Sequence, residues 1–521
     1  MKLTEEKRTG CKNRSPDYTE ERGFYMRLGE LCKETGILCP PEDTKTEIVA
    51  IRTLASAVEK GDLFVCLCGG QHDGHDYIPE AIARGAACVI AERGRELPVV
   101  GVPLLRVRNT RKTLAWLCAA FYGHPERTLT VVGVTGTNGK TSVAHMLYAI
   151  LREGDIPCGL IGTTGVRTPA GELPIHPDDP LANMTTPDPG ELFRVLACMR
   201  EEGATHVVME VSSHALALRK VDPIRFRIGV FTNLSPEHLD MHGDMEHYFW
   251  TKARLFGHCQ TGVINTADAY GRRLYDAPGM TCRRISCSAS LGADYTVTDV
   301  SCGLEGVRYR LLSGSLCVQI KCPVSGVFTV QNSAEAAVCA LEMGIPAQVI
   351  RRALEGFCGV PGRMERVLLP GADFTVLIDY AHTPDALEKL LLSVRQMRRR
   401  QERILLLFGC GGDRDRSKRR RMGQIASRLA DFLIITSDNS RSEDPGSIID
   451  EIIKGIDRER AYIVLPDRRD AIRYAVSVAG SGDILLLAGK GHEHYEIDRT
   501  GRHPFCEREQ LLAAWRLRGE S

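Results

Sequence analysis

Neither sign of charge prevails in this chain. Its 521 residues carry 67 Lys and Arg against 66 Asp and Glu, so the charge balance gives no reason to expect nucleic acid or an anionic membrane surface as partner. Long apolar runs are missing as well. None reaches the roughly 18–20 residues of a membrane span. No apolar stretch follows the charged first residues, as a secretory signal requires. The 19 cysteines form no C-x-x-C pair, which argues against the common zinc and dithiol motifs. Many sit in apolar runs (Cys66, Cys68, Cys88, Cys118, Cys339), the pattern of buried, reduced thiols in the cytoplasm. Internal repeats and low-complexity tracts are lacking too.

What remains is an α/β chain too long for one core, with about three domains expected from its length. Residues 1–25 are polar and lack apolar periodicity, so they read as a loose extension, with Met26 as a candidate start. Residues 26–123 predict a small α/β domain, with short apolar runs around the helix-like PEAIARGA. The turn-rich FYGHPERT marks its end. Residues 124–358 alternate strands (VVGVTG, HVVMEVSS, IGVFTNL) with helical stretches, the pattern of a parallel sheet with covered faces. A β-rich insert is expected near 283–325. Residues 359–521 repeat the alternation in TVLIDYA, RILLLFGCGG, DFLIITSDN, AYIVLP and DILLLAGKG, which predicts a second doubly wound domain.

The run VVGVTGTNGKTS at 131–142 carries the strongest chemical signal. Two valines lead into a glycine-rich turn, and Lys140-Thr141-Ser142 open a helix-like AHMLYAIL. A strand, such a turn and a helix N-terminus make a phosphate site. Backbone N–H groups point inward, the lysine reaches outer phosphates, and the threonine hydroxyl serves Mg²⁺. Val134 occupies the first glycine position of the strict G-x-x-x-x-G-K-[ST] pattern. Glu210 ends the apolar strand VVMEVSSH, where a carboxylate is either a Mg²⁺ ligand or a cap. Histidines and acids cluster within 237–246, and Lys252 in HYFWTKARLF has the look of an ordinary helix lysine.

GTNGKTS is narrower than a generic phosphate loop. It resembles the ATP site of the Mur ligases and of their relatives, the folylpolyglutamate synthases. The turns GCGGDRDRSKRR (409–420), SDNSRSEDP (437–445) and AGKGHE (488–493) each follow an apolar strand. Together they resemble the Mur ligase branch that adds the third amino acid of the peptidoglycan stem peptide, from about Met26 onward.

The resemblance implies three domains: a small N-terminal UDP-sugar-binding domain, a central phosphate-loop ATPase domain and a C-terminal Rossmann-like domain. It implies ATP held by Gly136, Thr137, Asn138, Gly139, Lys140, Thr141, Ser142, Asn332, Arg363 and Asp379. Mg²⁺ falls to Thr141, Glu210, His238 and a carbamylated Lys252. The catalytic set is Lys140, Glu210, His238, Lys252 and Arg363. Thr185, Thr186, Ser212 and Lys220 lie toward a UDP-N-acetylmuramoyl dipeptide. Arg414, Asp438, Asn439, Ser440, Arg441, Gly489 and Glu493 hold an incoming diamino acid. An arginine fork pairs the far carboxylate of meso-diaminopimelate, which L-lysine lacks.

Four positions depart from the pattern. Ser440 replaces a proline, Leu54-Ala55-Ser56 an Asp-Ser-Arg triplet, Lys220 an arginine, and Arg420 a proline. The expected activity is an ATP-dependent amide ligase acting through an acyl phosphate, cytoplasmic and monomeric, with meso-diaminopimelate as the amine. The alternatives are the same ligase using L-lysine or another diamine, and an ATP-binding regulatory paralogue without catalysis.

Overall fold

The computed structural model describes residues 25–69, 72–95, 101–174, 184–290, 292–457 and 459–519. The expected loose extension at 1–25 therefore lies, up to residue 24, outside the described residues. Among the described residues no helix is long and apolar enough to cross a membrane, and no cysteine forms a disulfide.

Three sheets organise the chain. The first is four-stranded and parallel, with Ile51–Arg52, Leu63–Val65, Cys88–Glu92 and Leu104–Val107 in that order. Its short strands are apolar (Leu63, Phe64 and Val65 are all fully buried) because both faces are covered.

The second sheet has eleven strands. Its middle is parallel, running from Cys158–Gly162 through His206–Glu210, Thr130–Thr135, Phe226–Phe231, Cys259–Asn265 and Arg283–Ser288 to Tyr295–Gly303. Both flanks are antiparallel, which the strand–helix alternation did not reveal. One flank is the hairpin Gly165–Thr168 and Gly171–Glu172. The other is the β-rich insert, whose strands Gly306–Ser313 and Leu316–Cys322 extend the same sheet instead of forming a separate layer. Val134 is a fully buried strand residue in register with Glu210. The phosphate loop thus begins only at Gly136, and a valine at 134 is what the core requires.

The third sheet orders its strands Glu365–Val367, Thr375–Asp379, Ile484–Ala488, Ile404–Phe408, Phe432–Ile435 and Tyr462–Val464, all parallel except the first. The adjacent strands Ile484–Ala488, Ile404–Phe408 and Phe432–Ile435 release the three motif turns at one end of the sheet. In open α/β sheets that end binds ligands. A hairpin of Tyr495–Asp498 and Gly501–Pro504 follows, unexpected from the sequence.

Two fully buried arginines hold these turns. Arg419 donates to Glu443 at 2.7 Å, to Glu451 at 3.0 Å and to the Gly411 carbonyl at 3.2 Å. Arg468 donates to the carbonyls of Ser437 and Ala488, both at 3.0 Å, and to Glu507 at 2.7 Å. It therefore ties two strand exits to the C-terminal helix Glu507–Gly519. Removing one partner strands a buried charge. Arg468→Met should thus cost about 3–5 kcal/mol in chemical denaturation, and Glu507→Leu added to it should recover much of the loss. Equal stability of Arg468→Met and the parent would contradict the assignment.

Candidate functional site

The phosphate-loop sequence folds as its residue types demand. The strand Thr130–Thr135 ends in Gly136, whose backbone runs so close to Thr232 that a Cβ would lie 1.9 Å from Thr232 Oγ1. Helix Lys140–Glu153 starts after Gly139, which packs against Asn332 of helix Phe328–Glu342. The loop is laced from the next strand exit. The Asn138 amide donates to Asn233 Oδ1 at 3.0 Å, and the Asn138 carbonyl accepts from Thr232 Oγ1 at 2.6 Å and Asn233 Nδ2 at 3.0 Å. Ser235 N donates to Thr137 Oγ1 at 3.0 Å. Ser142 is half-buried one residue beyond Thr141 on the helix.

Two lysines meet at this loop. Lys140 Nζ donates to the carbonyls of Gly136 and Thr137 at 3.0 and 2.9 Å. Lys252 Nζ, from helix Met245–Ala253, donates to the same Gly136 carbonyl at 2.8 Å. Burial lowers the Lys140 pKa, with Arg363 adding to the effect and Glu210 and Glu237 opposing it. Burial drives Lys252 further, well below the usual lysine value, and the charge of Lys140 adds to it. The Tyr248 ring, 4.8 Å from Lys252 Nζ, favours the cation but is outweighed by burial. Lys252 is therefore the amine most disposed to be neutral and nucleophilic.

Glu210 is buried at the end of its strand. It accepts from Thr141 Oγ1 at 3.1 Å, and from the amide and hydroxyl of Thr163 at 2.9 and 3.2 Å. Thr163 Oγ1 also lies within hydrogen-bond distance of Thr185 Oγ1, at 3.1 Å. Thr186 is buried, with its hydroxyl between the Glu210 carbonyl at 2.9 Å and the Ser212 amide at 3.0 Å. Ser212 caps helix Ser213–Ala217. Thr141 and Glu210 offer hard oxygen atoms, the donor type that suits Mg²⁺. His238, at φ 55°, precedes helix Leu239–His242. Its ring lies 5.0 Å from that of His214 and 6.5 Å from that of Tyr248. His242 stacks on Tyr248 at 4.8 Å and shares a 3.0 Å hydrogen bond with Ser213 Oγ. Burial pushes the His242 pKa down to about 4, helped by the neighbouring His214. Tyr248 in turn reaches Thr137 Oγ1 at 3.3 Å.

The third sheet adds Arg363 and Asp379. Arg363 Nε is buried without a hydrogen-bond partner among the described residues, and the guanidinium lies 4.7 Å from the Tyr380 ring centre. A buried, unanswered guanidinium N–H beside a phosphate loop fits an anionic ligand. Asp379 accepts from the amides of Met364 at 2.8 Å and Ala381 at 2.9 Å. Burial raises its pKa against the pull of Arg363.

The three motif turns close on one crevice. Asn439 is its hub, accepting from Lys490 Nζ at 2.9 Å and donating to Glu493 at 2.8 Å. Asp438 lies 3.6 Å from Lys490 Nζ, and a Cβ on Gly489 would come within 2.9 Å of its Oδ2. Burial disfavours the Asp438 charge, yet Lys490 and Arg468 hold its pKa below the usual value. Glu493 moves the other way, raised by burial and by Asp438. Arg441, at φ 51°, donates to the Gly412 carbonyl at 2.7 Å. Ser440 is buried in the same turn, and Arg414 stays exposed at the rim.

The first sheet lies apart from these groups. In Asp73-Gly74-His75, His75 Nε2 accepts from the Glu92 amide at 3.0 Å, so Nδ1 carries the proton that it donates to Asp73 at 2.6 Å. Burial opposes the Asp73 charge, but His75 and Arg95 hold its pKa at about 2. Leu54 stands exposed where the usual pattern has an acid. Lys220 pairs with Asp188 at 2.7 Å.

Family models match residues 47–122 (Mur ligase family, catalytic domain), 134–340 (Mur ligase middle domain) and 362–491 (Mur ligase, glutamate ligase domain). A UDP-N-acetylmuramoyl-L-alanyl-D-glutamate–2,6-diaminopimelate ligase of Syntrophomonas wolfei is 40% identical, covering 95% of this chain and 100% of its own. The protein of that name from Gloeobacter violaceus is 42% identical over 94% of this chain and 98% of its own. The chain belongs to the Mur ligase family. A solved ligase of the same name superposes with a TM-score of 0.68 at 30% identity, covering 95% of this chain and all of its own. MurF from Acinetobacter baumannii, 18% identical with a TM-score of 0.60 over 90% of this chain and 96% of its own, shares the Mur ligase fold.

Sequence reasoning missed Thr163, Tyr248 and Asp385. The first lies in an unremarkable Gly-Thr-Thr-Gly, the second one helical turn before Lys252, and the third just beyond TVLIDYA. The lowered pKa of Lys252 has a measurable consequence. Unfolding lets Lys252 take up a proton at any pH between its folded value and about 10.5. Relative to Lys252→Met, the parent should therefore gain stability as pH rises through that window. A difference independent of pH would show that Lys252 is charged in the folded protein.

Proposed function

We infer that the protein is an ATP-dependent amide ligase of peptidoglycan precursor synthesis, joining meso-diaminopimelate to UDP-N-acetylmuramoyl-L-alanyl-D-glutamate. The observation that carries this reading is the convergence of Arg441, Asn439, Asp438 and Glu493 in one crevice, between turns of the unit that also supplies Arg363 and Asp379. In this reading residues 26–123 bind the UDP-sugar, 124–358 bind ATP and 359–521 bind the amino acid. The enzyme works in the cytoplasm as a monomer.

The D-glutamate side-chain carboxylate attacks the γ-phosphorus of ATP. A carboxylate–phosphorus bond forms as the bond to ADP breaks, which leaves an acyl phosphate. The amine of diaminopimelate then adds to the acyl carbon, and the tetrahedral intermediate expels phosphate as the amide forms. Little covalent work falls to the protein, which positions the reactants and neutralises charge. Gly136, Thr137, Asn138 and Gly139 cradle the phosphates, and Lys140 and Arg363 meet the charge that grows on them. Asn332 faces the adenine and Asp379 the ribose. Thr141, Glu210, His238 and a carbamylated Lys252 would hold Mg²⁺, which would supply charge neutralisation when bound. Thr185, Thr186, Ser212 and Lys220 line the path of the UDP-sugar. Arg414 and Arg441 receive the far carboxylate of diaminopimelate. Asp438 and Glu493 accept from its ammonium, with Ser440 and Gly489 shaping the pocket.

Arg441→Ala tests the amine assignment. A hydrogen bond to a charged group contributes about 1.5–3 kcal/mol, so kcat/KM for diaminopimelate should fall by roughly ten- to a hundredfold. Use of L-lysine, which has no far carboxylate to lose a partner, should change much less. Equal losses for both amines would mean that Arg441 only holds its turn.

Lys252→Ala tests the carbamate. It should abolish ligation, and formate or acetate should restore part of it by supplying the missing carboxylate. Undiminished activity in the alanine variant would remove Lys252 from the site.

A further inference from the structure

Asp385 is the second residue of helix Pro384–Met397, six residues beyond Asp379. An acid in a first helical turn needs no outside partner, since the helix dipole alone favours it. Yet its Oδ2 accepts from Ser235 Oγ at 2.9 Å and from Asn138 Nδ2 at 3.4 Å. Both donors belong to the ATP-binding unit, one in the phosphate loop and one in the strand exit that laces it. The main chain of Asn138 is already bound to Thr232 and Asn233. Among the described residues its side-chain amide reaches Ser235 Oγ, also at 3.4 Å, and Asp385. The three side chains form a closed triangle across the boundary between the second and third sheets. Lys389, one turn along, approaches Asp385 at 2.9 Å from within the helix.

We propose that Asp385 is a positioning residue that fixes the C-terminal unit onto the phosphate loop, and so sets where Arg363 and Asp379 stand relative to the bound nucleotide. The proposal rests on the ligase reading. Asp385 touches no reacting atom. It acts through Asn138 and Ser235. Its removal takes the acceptor from Ser235 Oγ and leaves the Asn138 amide with Ser235 Oγ alone, so both lose their tie to the C-terminal unit.

The test compares Asp385→Ala, Asp385→Asn, Ser235→Ala, the double Asp385→Ala/Ser235→Ala and Lys389→Ala in the full chain. The readouts are ligation kinetics, binding of a fluorescent ADP analogue and thermal melting. Asp385→Ala should raise KM for ATP and lower kcat/KM by about ten- to a hundredfold, with its melting temperature unchanged. Asp385→Asn keeps an acceptor oxygen and should retain most of the activity. The double variant should be no worse than Asp385→Ala alone, because both changes break one triangle. Lys389→Ala should match the parent. Should Asp385→Ala fail to fold, Ser235→Ala carries the test from the opposite unit, with the same rise in KM expected. Strict additivity of the two changes, or a loss in Asp385→Asn as deep as in Asp385→Ala, overturns the proposal. A parent protein that neither binds the ADP analogue nor ligates overturns the ligase reading instead.

Discussion

The structure is organised around a carbonyl that two lysines share. Gly136 O accepts from both Lys140 and Lys252, at 3.0 and 2.8 Å. Two ammonium groups cannot crowd into a buried site without a large electrostatic cost. The arrangement is stable only if one amine gives up its proton or if anions enter between them. Both outcomes suit a ligase. In the proposed reading Lys252 carries the carbamate and Lys140 meets phosphate. Arg363, with its unanswered Nε–H, presses the same demand for anions from the C-terminal unit.

The rest of the fold serves this convergence. Parallel strands end together, so their turns crowd at one edge of each sheet. Glu210 and the phosphate loop leave adjacent strands in register, which is why a residue 69 positions from Thr141 can accept its hydroxyl. In the third sheet, Arg419 and Arg468 fasten the motif turns from beneath. The crevice is therefore built on buried ion pairs rather than on loop chemistry alone. Asp385 then ties one edge to the other.

Much of this was legible in the sequence because it is local. The glycine-rich run after two valines, the GKTS helix start and the apolar strands before each motif turn are short-range signals, and each appears where its spacing placed it. The departure at Val134 also resolves locally, as a strand core position. Other features were hidden because they depend on contacts distant in sequence. Thr163 becomes important only when its hairpin folds over Glu210. Nothing in the neighbouring residues marks Arg419 and Arg468 as buried; their partners, distant in sequence, close around them. The antiparallel flanks of the eleven-stranded sheet and the hairpin at 495–504 carry turn residues no different from those of ordinary loops. Leu54 lies exposed in the turn after the strand Ile51–Arg52, so its departure from the family pattern has no consequence for the core.

The central claim of the proposed function is that nucleotide, dipeptide and diamino acid react at one site. Phosphate release from ATP by the full chain tests this most directly. It should require both UDP-N-acetylmuramoyl-L-alanyl-D-glutamate and meso-diaminopimelate, match the tripeptide product mole for mole, and fall sharply when L-lysine replaces diaminopimelate. Phosphate release that ignores the dipeptide, or a preference for L-lysine, would contradict the account.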